Sequence, residues 1–329
     1  MLTRNKLRWG ILGCARISRR GLIPGIRGST SSVIQAIASR DGTMSNAWAK
    51  EFGIPRSYGS YEDLLLDPEV DAVYIPLPNE LHQPWTIAAA NAGKHVLCEK
   101  PLALNAREAE SMVEHCRSCQ VTLMEAFMWR HQPRVHELLK RLAAGEIGDL
   151  RLVRSSFSFP IEAGDWRLDL KRGGGALWDV GSYGVNTARL FTGAEPSKLS
   201  AFAHFGPTGV DLSLTTIMEF PHNILAIVDC SFEQPFRQTY EVVGTKGSFD
   251  VPNAYLPMEP VSALLRDNAG NVTELPHFEA TNQYANMVDA FALSLDAQSP
   301  SLAENGFQQM FLLDKILLSA QTKAAVELG

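Results

Sequence analysis

No run in these 329 residues reaches the roughly 20 consecutive apolar positions that a membrane-spanning helix needs. The opening stretch, Met1 to Lys6, is polar and leads straight into a strand-like segment, so no secretory leader and a cytoplasmic location are expected. Cysteine is scarce. Cys14, Cys98, Cys116, Cys119 and Cys230 are odd in number and scattered, a pattern of reduced thiols rather than of a disulfide framework. Thirty Lys and Arg against 36 Asp and Glu leave a net charge of −6, so no basic surplus draws the chain to nucleic acid or to an anionic membrane. Clustered metal ligands are also missing, and no metal is expected. His131, His136, His204, His222 and His277 are dispersed, and Cys116-Arg117-Ser118-Cys119 closes a helical pattern without a second Cys or His pair. There is no internal repeat, low-complexity tract or flexible linker.

What is present is an ordinary globular mixture, 45% hydrophobic and 20% charged, with length enough for two domains. Short apolar runs at Leu7–Leu12, Val33–Ala38, Ala72–Ile75, His95–Cys98 and Thr122–Met124 alternate with helical patterns. The helices are expected from about Arg16 and over 44–52, 61–66, 81–92 and 106–117, with Ser60 and Asp63 forming a capping box for the third. Strand and helix in alternation imply parallel pairing with right-handed crossovers, hence a doubly wound dinucleotide-binding sheet over residues 1–124. Beyond it the rhythm changes. Helices are expected over 133–144 and 176–191. Strands then follow almost consecutively at 199–205, 213–220, 224–232, 239–243 and 247–251, and helices over 283–297 and 303–325 finish the chain. Consecutive strands imply a large, mostly antiparallel sheet with helices on one face, an α+β domain over residues 125–329 for substrate and oligomer contacts. The expected site is the cleft beside a tight junction near residue 125.

The first strand turns into the first helix through Gly13, Cys14, Ala15, Arg16 and Ile17, followed by Ser18. Read as G-x-G-x-x-G, the three positions hold Gly13, Ala15 and Ser18, one glycine and two of the next smallest residues. Small residues let the backbone approach a pyrophosphate, which then meets the helix N-terminal amides. The second strand ends in Ser39-Arg40-Asp41. A carboxylate there suits the ribose of NAD, whereas a hydroxyl and a guanidinium suit a 2′-phosphate, so Ser39 and Arg40 favour NADP(H) over NAD(H). Asp41 keeps the NAD alternative open.

The fifth strand runs into Glu99-Lys100-Pro101, at the carboxyl end of a central strand where open α/β sheets bind ligands. Proline holds Lys100 in an extended backbone. Further on, Gly173-Gly174-Gly175 precedes Asp179, Tyr183 and Asn186, which recur at i, i+4 and i+7 and so share one helix face. Hydride transfer needs a proton donor or acceptor for the substrate oxygen, and a phenol beside a lysine cation can serve as one.

Together the Gly13 loop, Glu99-Lys100-Pro101 and Gly173-Gly174-Gly175…Asp179…Tyr183 resemble the Gfo/Idh/MocA oxidoreductases over essentially the whole chain. In the sugar and inositol dehydrogenases of that family a histidine and an aspartate often stand where this sequence has Tyr183 and Asn186. The tyrosine resembles the branch of dimeric dihydrodiol dehydrogenase, NADP-dependent D-xylose dehydrogenases and nucleotide-sugar ketoreductases. The resemblance implies that Lys100 contacts the nicotinamide ribose and substrate oxygen, that Asp179 positions substrate or takes part in catalysis, and that Tyr183 is the general acid/base, with Asn186 beside them. It implies a cofactor lining of Pro76, Leu77, Pro78, Asn79, His82 and Glu99, with Trp129, Arg130, Trp166 and Arg167 nearby. It further implies a carbohydrate-like small-molecule substrate, a CH–OH dehydrogenase or ketoreductase reaction (or the dihydrodiol equivalent), and a homodimer or homotetramer formed through the C-terminal sheet. The alternative reading is a non-catalytic dinucleotide sensor that acts through protein partners.

Overall fold

The computed structural model describes residues 6–257, 262–276, 278, 282–297 and 301–328. The chain divides into two compact units: Met1–His131 with Thr281–Met310, and Gln132–Ala280 with Phe311–Gly329.

The first unit is built on six strands: β1 (Leu7–Leu12), β2 (Ser32–Ala38), β3 (Arg56–Tyr58), β4 (Ala72–Ile75), β5 (His95–Cys98) and β6 (Leu123–Glu125). All pair in parallel, in the order β3-β2-β1-β4-β5-β6. This is the expected doubly wound sheet. Helices cover such a sheet on both faces, which is why Ala72, Val73, Tyr74 and Ile75 are all fully buried. The strand order reverses between β1 and β4, so the loops after those two strands open the crevice in which a doubly wound sheet takes its ligand. Side chains cap the helices. Asp41 accepts from the Thr43 and Met44 amides at 2.9 and 3.3 Å, Ser60 from Asp63 at 3.1 Å as the capping box required, and Asn105 from Glu108 at 3.0 Å.

The helix Gln283–Ala297 forms over the residues its periodicity predicts, but it packs in the first unit, whereas the sequence reading assigned it to the second domain. Two glycines explain this. A Cβ on Gly21 would lie 2.5 Å from the Tyr284 ring, and one on Gly25 would lie 2.6 Å from the Tyr284 Cβ. Phe291 then stacks obliquely on Trp9 of β1, ring centres 5.1 Å apart.

Among the described residues the second unit carries nine strands: β7 (Leu150–Ser158), β8 (Lys198–Phe205), β9 (Asp211–Phe220), β10 (Ile224–Ser231), β11 (Arg237–Gly244), β12 (Gly247–Val251), β13 (Leu264–Asp267), β14 (Val272–Glu274) and β15 (Val326–Glu327). Their order is β14-β13-β12-β11-β7-β10-β9-β8-β15, antiparallel except for the β7–β10 pair. β7 lies inside the sheet, where the sequence pattern predicts no strand. Its covered face holds Val153, Ser155 and Phe157, Arg154 faces out and Arg151 is exposed near the start of the strand, so its apolar signal is weak. On the helix Pro133–Ala143, Arg134 is fully buried, and its guanidinium donates to the carbonyls of Pro252, Asn253, Ala254 and Ser262 at 2.8–3.2 Å. Those carbonyls have no ladder partner in this loop, so the arginine satisfies them where a strand neighbour otherwise would.

Candidate active site

In the first unit the chain leaves β1 through Gly13, at φ +116°, a region open to glycine at little cost. A Cβ there would also lie 3.0 Å from the Leu77 side chain, on the loop after β4. The Gly13 N–H donates to the Ala38 carbonyl at 2.9 Å, tying the loop to the end of β2. Cys14 sits against the Ser39 hydroxyl, and burial pushes its thiol up to about 11, so it is unreactive at neutral pH. Beyond β2, Asp41 is occupied in capping the helix Gly42–Glu51, and its own amide donates to Ser39 Oγ at 3.2 Å. Arg40 is exposed and reaches the Tyr61 hydroxyl. Of the three groups at this strand end, the carboxylate is engaged and the guanidinium stands outward.

The Glu99-Lys100-Pro101 turn is held from several sides. Tyr74 of β4 donates its hydroxyl to Glu99 Oε1, Glu99 Oε2 accepts from the Lys100 amide at 3.3 Å, and Glu125 of β6 accepts from the Leu102 amide at 2.9 Å. His82 is 1% exposed, with one ring nitrogen 2.9 Å from the Pro101 carbonyl and the other 2.8 Å from that of Leu77. Burial lowers its pKa and favours the neutral ring, which can donate to only one of the two at a time. His82 therefore ties the Pro76–Pro78 loop to the lysine turn. Asn79 is also buried, Trp129 is fully buried, and Arg130 donates to Asn305 at 2.9 Å.

In the second unit Asp179, Tyr183 and Asn186 fall on consecutive helical segments, but not on one continuous α-helix. Leu177–Gly181 winds as a π-helix and passes into the α-helix Ser182–Thr192. Turns of this kind are rare and gather at functional sites. Glycines press the helix onto the sheet: a Cβ on Gly181 would lie 2.8 Å from Cys230 Sγ, and one on Gly184 2.5 Å from Val228. The Asp179 carboxylate forms an ion pair with Arg167 Nε at 2.9 Å. Arg167 also grips Asp165 through Nη1 at 3.1 and 3.2 Å, lies over the Trp166 ring, and accepts the Gly175 amide on its carbonyl at 2.9 Å. Tyr183 is 5% exposed, its ring packed against Phe157 and Tyr255 at 5.4 and 5.0 Å. The Tyr255 hydroxyl meets Ser155 and Thr187 at 2.7 and 3.0 Å, and burial pushes it up to about 12. Asn186 is 1% exposed.

The sequence reading missed Phe157, Tyr255 and Asp211. The last accepts from the Leu177 amide at 2.7 Å across 34 residues of chain, a separation that carries no local signal. Among the described residues, no group of three or more His, Cys, Asp or Glu could hold a metal ion, and no helix is long and apolar enough to cross a membrane.

The chain is similar to known proteins over its length. Residues 7–127 fit the family model of the oxidoreductase NAD-binding Rossmann fold, and residues 135–250 fit the GFO/IDH/MocA C-terminal domain. The D-xylose 1-dehydrogenase (NADP(+)) 2 of Haloferax volcanii is 41% identical over 97% of this chain and 99% of its own. The mouse trans-1,2-dihydrobenzene-1,2-diol dehydrogenase is 36% identical over 78% of this chain and 77% of its own. A 3-ketoreductase from Actinomadura kijaniata, solved with NADP and TDP-benzene, superimposes with a TM-score of 0.88 at 30% identity, covering 96% of this chain and 98% of that one. The chain belongs to the Gfo/Idh/MocA family of oxidoreductases, in the branch that the tyrosine at position 183 indicated. It is an enzyme of the dehydrogenase/reductase class.

Proposed function

We propose that the protein is an NADP(H)-dependent oxidoreductase that moves a hydride between nicotinamide and a CH–OH or C=O carbon of a sugar, nucleotide-sugar or related polyol. The observation that carries this reading is the helix beginning at Leu177. It holds a phenol and an ion-paired carboxylate four residues apart, seated on contacts that only glycine allows.

The nicotinamide supplies or accepts the hydride when bound; the chain provides position, charge and a proton. In the reductive direction the Tyr183 hydroxyl gives its proton to the substrate oxygen, and in the oxidative direction it takes one back. The Lys100 ammonium stabilises the negative charge that develops on that oxygen. Asp179, kept in place by Arg167, accepts hydrogen bonds from neighbouring substrate hydroxyls. The residues present fit the dinucleotide: Gly13 opens the turn after β1, and Ser39 and Arg40 offer a 2′-phosphate a hydroxyl and a guanidinium, while Asp41 is committed to its helix. Arg40→Ala should therefore weaken NADPH roughly tenfold or more while leaving NADH nearly unchanged, as the worth of a charge-assisted contact requires. Fluorescence titration with both cofactors reads this, and equal losses for the two would assign Arg40 elsewhere.

The test of the function follows nicotinamide absorbance. NADP and NAD are paired with aldoses, inositols and dihydrodiols, and the reduced forms with keto-sugars and nucleotide-sugars. Turnover with NADP(H) on a carbohydrate is the expected result. Tight NADPH binding with no turnover on any of them would leave the sensor reading instead. The uncovered side of the second sheet exposes Phe202, Ile217 and Leu225, which favours a homodimer or homotetramer through that face, to be read by sedimentation velocity.

A further inference from the structure

The segment that carries Asp179 begins without a cap of its own. Its N-cap position is Ala176, which has no side chain to accept a hydrogen bond, and three glycines precede it. The missing acceptor comes from another strand. Asp211, the first residue of β9, is 3% exposed and takes the Leu177 amide on Oδ2 at 2.7 Å. Its other oxygen occupies the space beside Gly175: a Cβ there would lie 2.2 Å from Asp211 Oδ1, and Gly175 stands at φ +123°. The glycine and the carboxylate therefore fit together as a pair.

We propose that Asp211 is a positioning residue of the hydride-transfer reaction. Its carboxylate seats the first turn of the segment Leu177–Gly181 and so holds Asp179 and Tyr183 in one geometry. The proposal rests on the function proposed above. Asp179 lies two positions and Tyr183 six positions beyond the seated Leu177 amide, and Arg167 ties its carbonyl to Gly175 and its guanidinium to Asp179. A shift of the seat moves the acidic group and the phenol together.

The charge state of Asp211 matters to this seat. A carboxylate accepts from an amide about twice as strongly as a neutral carboxylic acid, and the N-terminal amides of a helix favour the anion. Burial opposes the anion and raises the Asp211 pKa to about 7, with the Leu177 amide pulling it down. Cys230 faces it from β10, a buried thiol whose pKa is pushed well up by burial and by the carboxylates around it. Asp179, on the π-helical turn, acts on the same Cys230 thiol and is neutralised by Arg167. Asp229, next to Cys230 in β10, is paired with Arg237 at 2.6 Å. No cation is paired with Asp211 among the described residues, so the seat is anionic only at the expense of stability. A serine or aspartate at position 176 would have capped the helix more simply. A buried acid kept where it weakens the fold is a feature of functional sites.

The expected result is a wild-type kcat that rises as pH increases through about 7. Asp211→Asn keeps an oxygen for the Leu177 amide but cannot ionise. Its kcat should be flat over that range and about tenfold lower above it, with KM and the NADPH Kd little changed, as for a displaced but intact site. A second readout needs no substrate. A group whose folded pKa is raised stabilises the fold fully below its unfolded value and loses that contribution as pH rises through the folded value. The Tm of D211N should therefore gain on that of the wild type as pH rises from about 4 to about 7, and the gap should level off above it. Should D211N fail to fold, Asp211→Ser is read the same way. Wild-type kcat and pH profile in the variant, or a Tm gap that ignores pH, would overturn the proposal. An inert wild type would instead sink the functional reading, and the proposal with it.

Discussion

Tyr183→Phe removes one oxygen from a ring that is already packed, so kcat should fall by about 10²- to 10⁴-fold, the worth of a positioned general acid. The fold should survive. The Tyr183 ring keeps its contacts with Phe157 and Tyr255, and the backbone carbonyl of residue 183 still accepts from Thr187 at 2.8 Å. Lys100→Met should cost a similar factor if, as proposed, its charge meets the substrate oxyanion, a loss typical of one electrostatic stabiliser. Both variants should bind NADPH with nearly wild-type affinity, because the groups expected to meet the adenosine and phosphates, from Gly13 to Arg40, are untouched. Steady-state turnover with NADPH titration as the control reads the outcome. A variant that keeps more than a tenth of wild-type turnover would remove its residue from the chemistry.

The second large effect is expected at Gly175. Alanine there meets two penalties: a backbone at φ +123° that L-residues seldom adopt, and a Cβ 2.2 Å from the Asp211 carboxylate. The first costs about 1–3 kcal/mol. The second cannot be relieved by a small movement, since the carboxylate is buried and bonded to the Leu177 amide. Gly164 supplies the control. It stands at φ +85° with nothing near its missing Cβ, so Gly164→Ala pays only for the backbone. We expect G175A to lose appreciably more Tm than G164A and to lose turnover as well, while G164A keeps it. Thermal melts beside kcat measurements decide the matter. Equal effects in the two variants would mean that backbone strain alone accounts for Gly175.

These two predictions depend on the sequence in different ways. Lys100 and Tyr183 were legible because their signals are local: a lysine fixed by a following proline, and a phenol four residues from an acid after a run of glycines. The helix itself is less regular than that spacing implied, since π-winding over Leu177–Gly181 leaves no trace in apolar periodicity. Asp211 was not legible at all. An aspartate that opens a strand reads as a turn residue until the Leu177 amide is seen against it.

The same division runs through the fold. Five strands of the first unit declared themselves because they are apolar and largely buried, with caps such as Ser60 at fixed spacing from their helices, whereas the edge strand β3 (Arg56–Tyr58) is polar and partly exposed and carries no such signal. β7 did not declare itself either, since Arg154 stands on one of its faces and the other includes Arg151 and Ser155. Local chemistry determined most of the element types, the glycine turn after β1, the lysine turn and the acid–phenol spacing. Tertiary structure alone decided that Asp41 caps a helix, that His82 faces two carbonyls, that Arg167 neutralises Asp179, and that the helix Gln283–Ala297 packs in the first unit. The physical reason is range. Propensity and capping act within a few residues, whereas a buried polar group takes whichever partner the fold brings to it, at any distance along the chain.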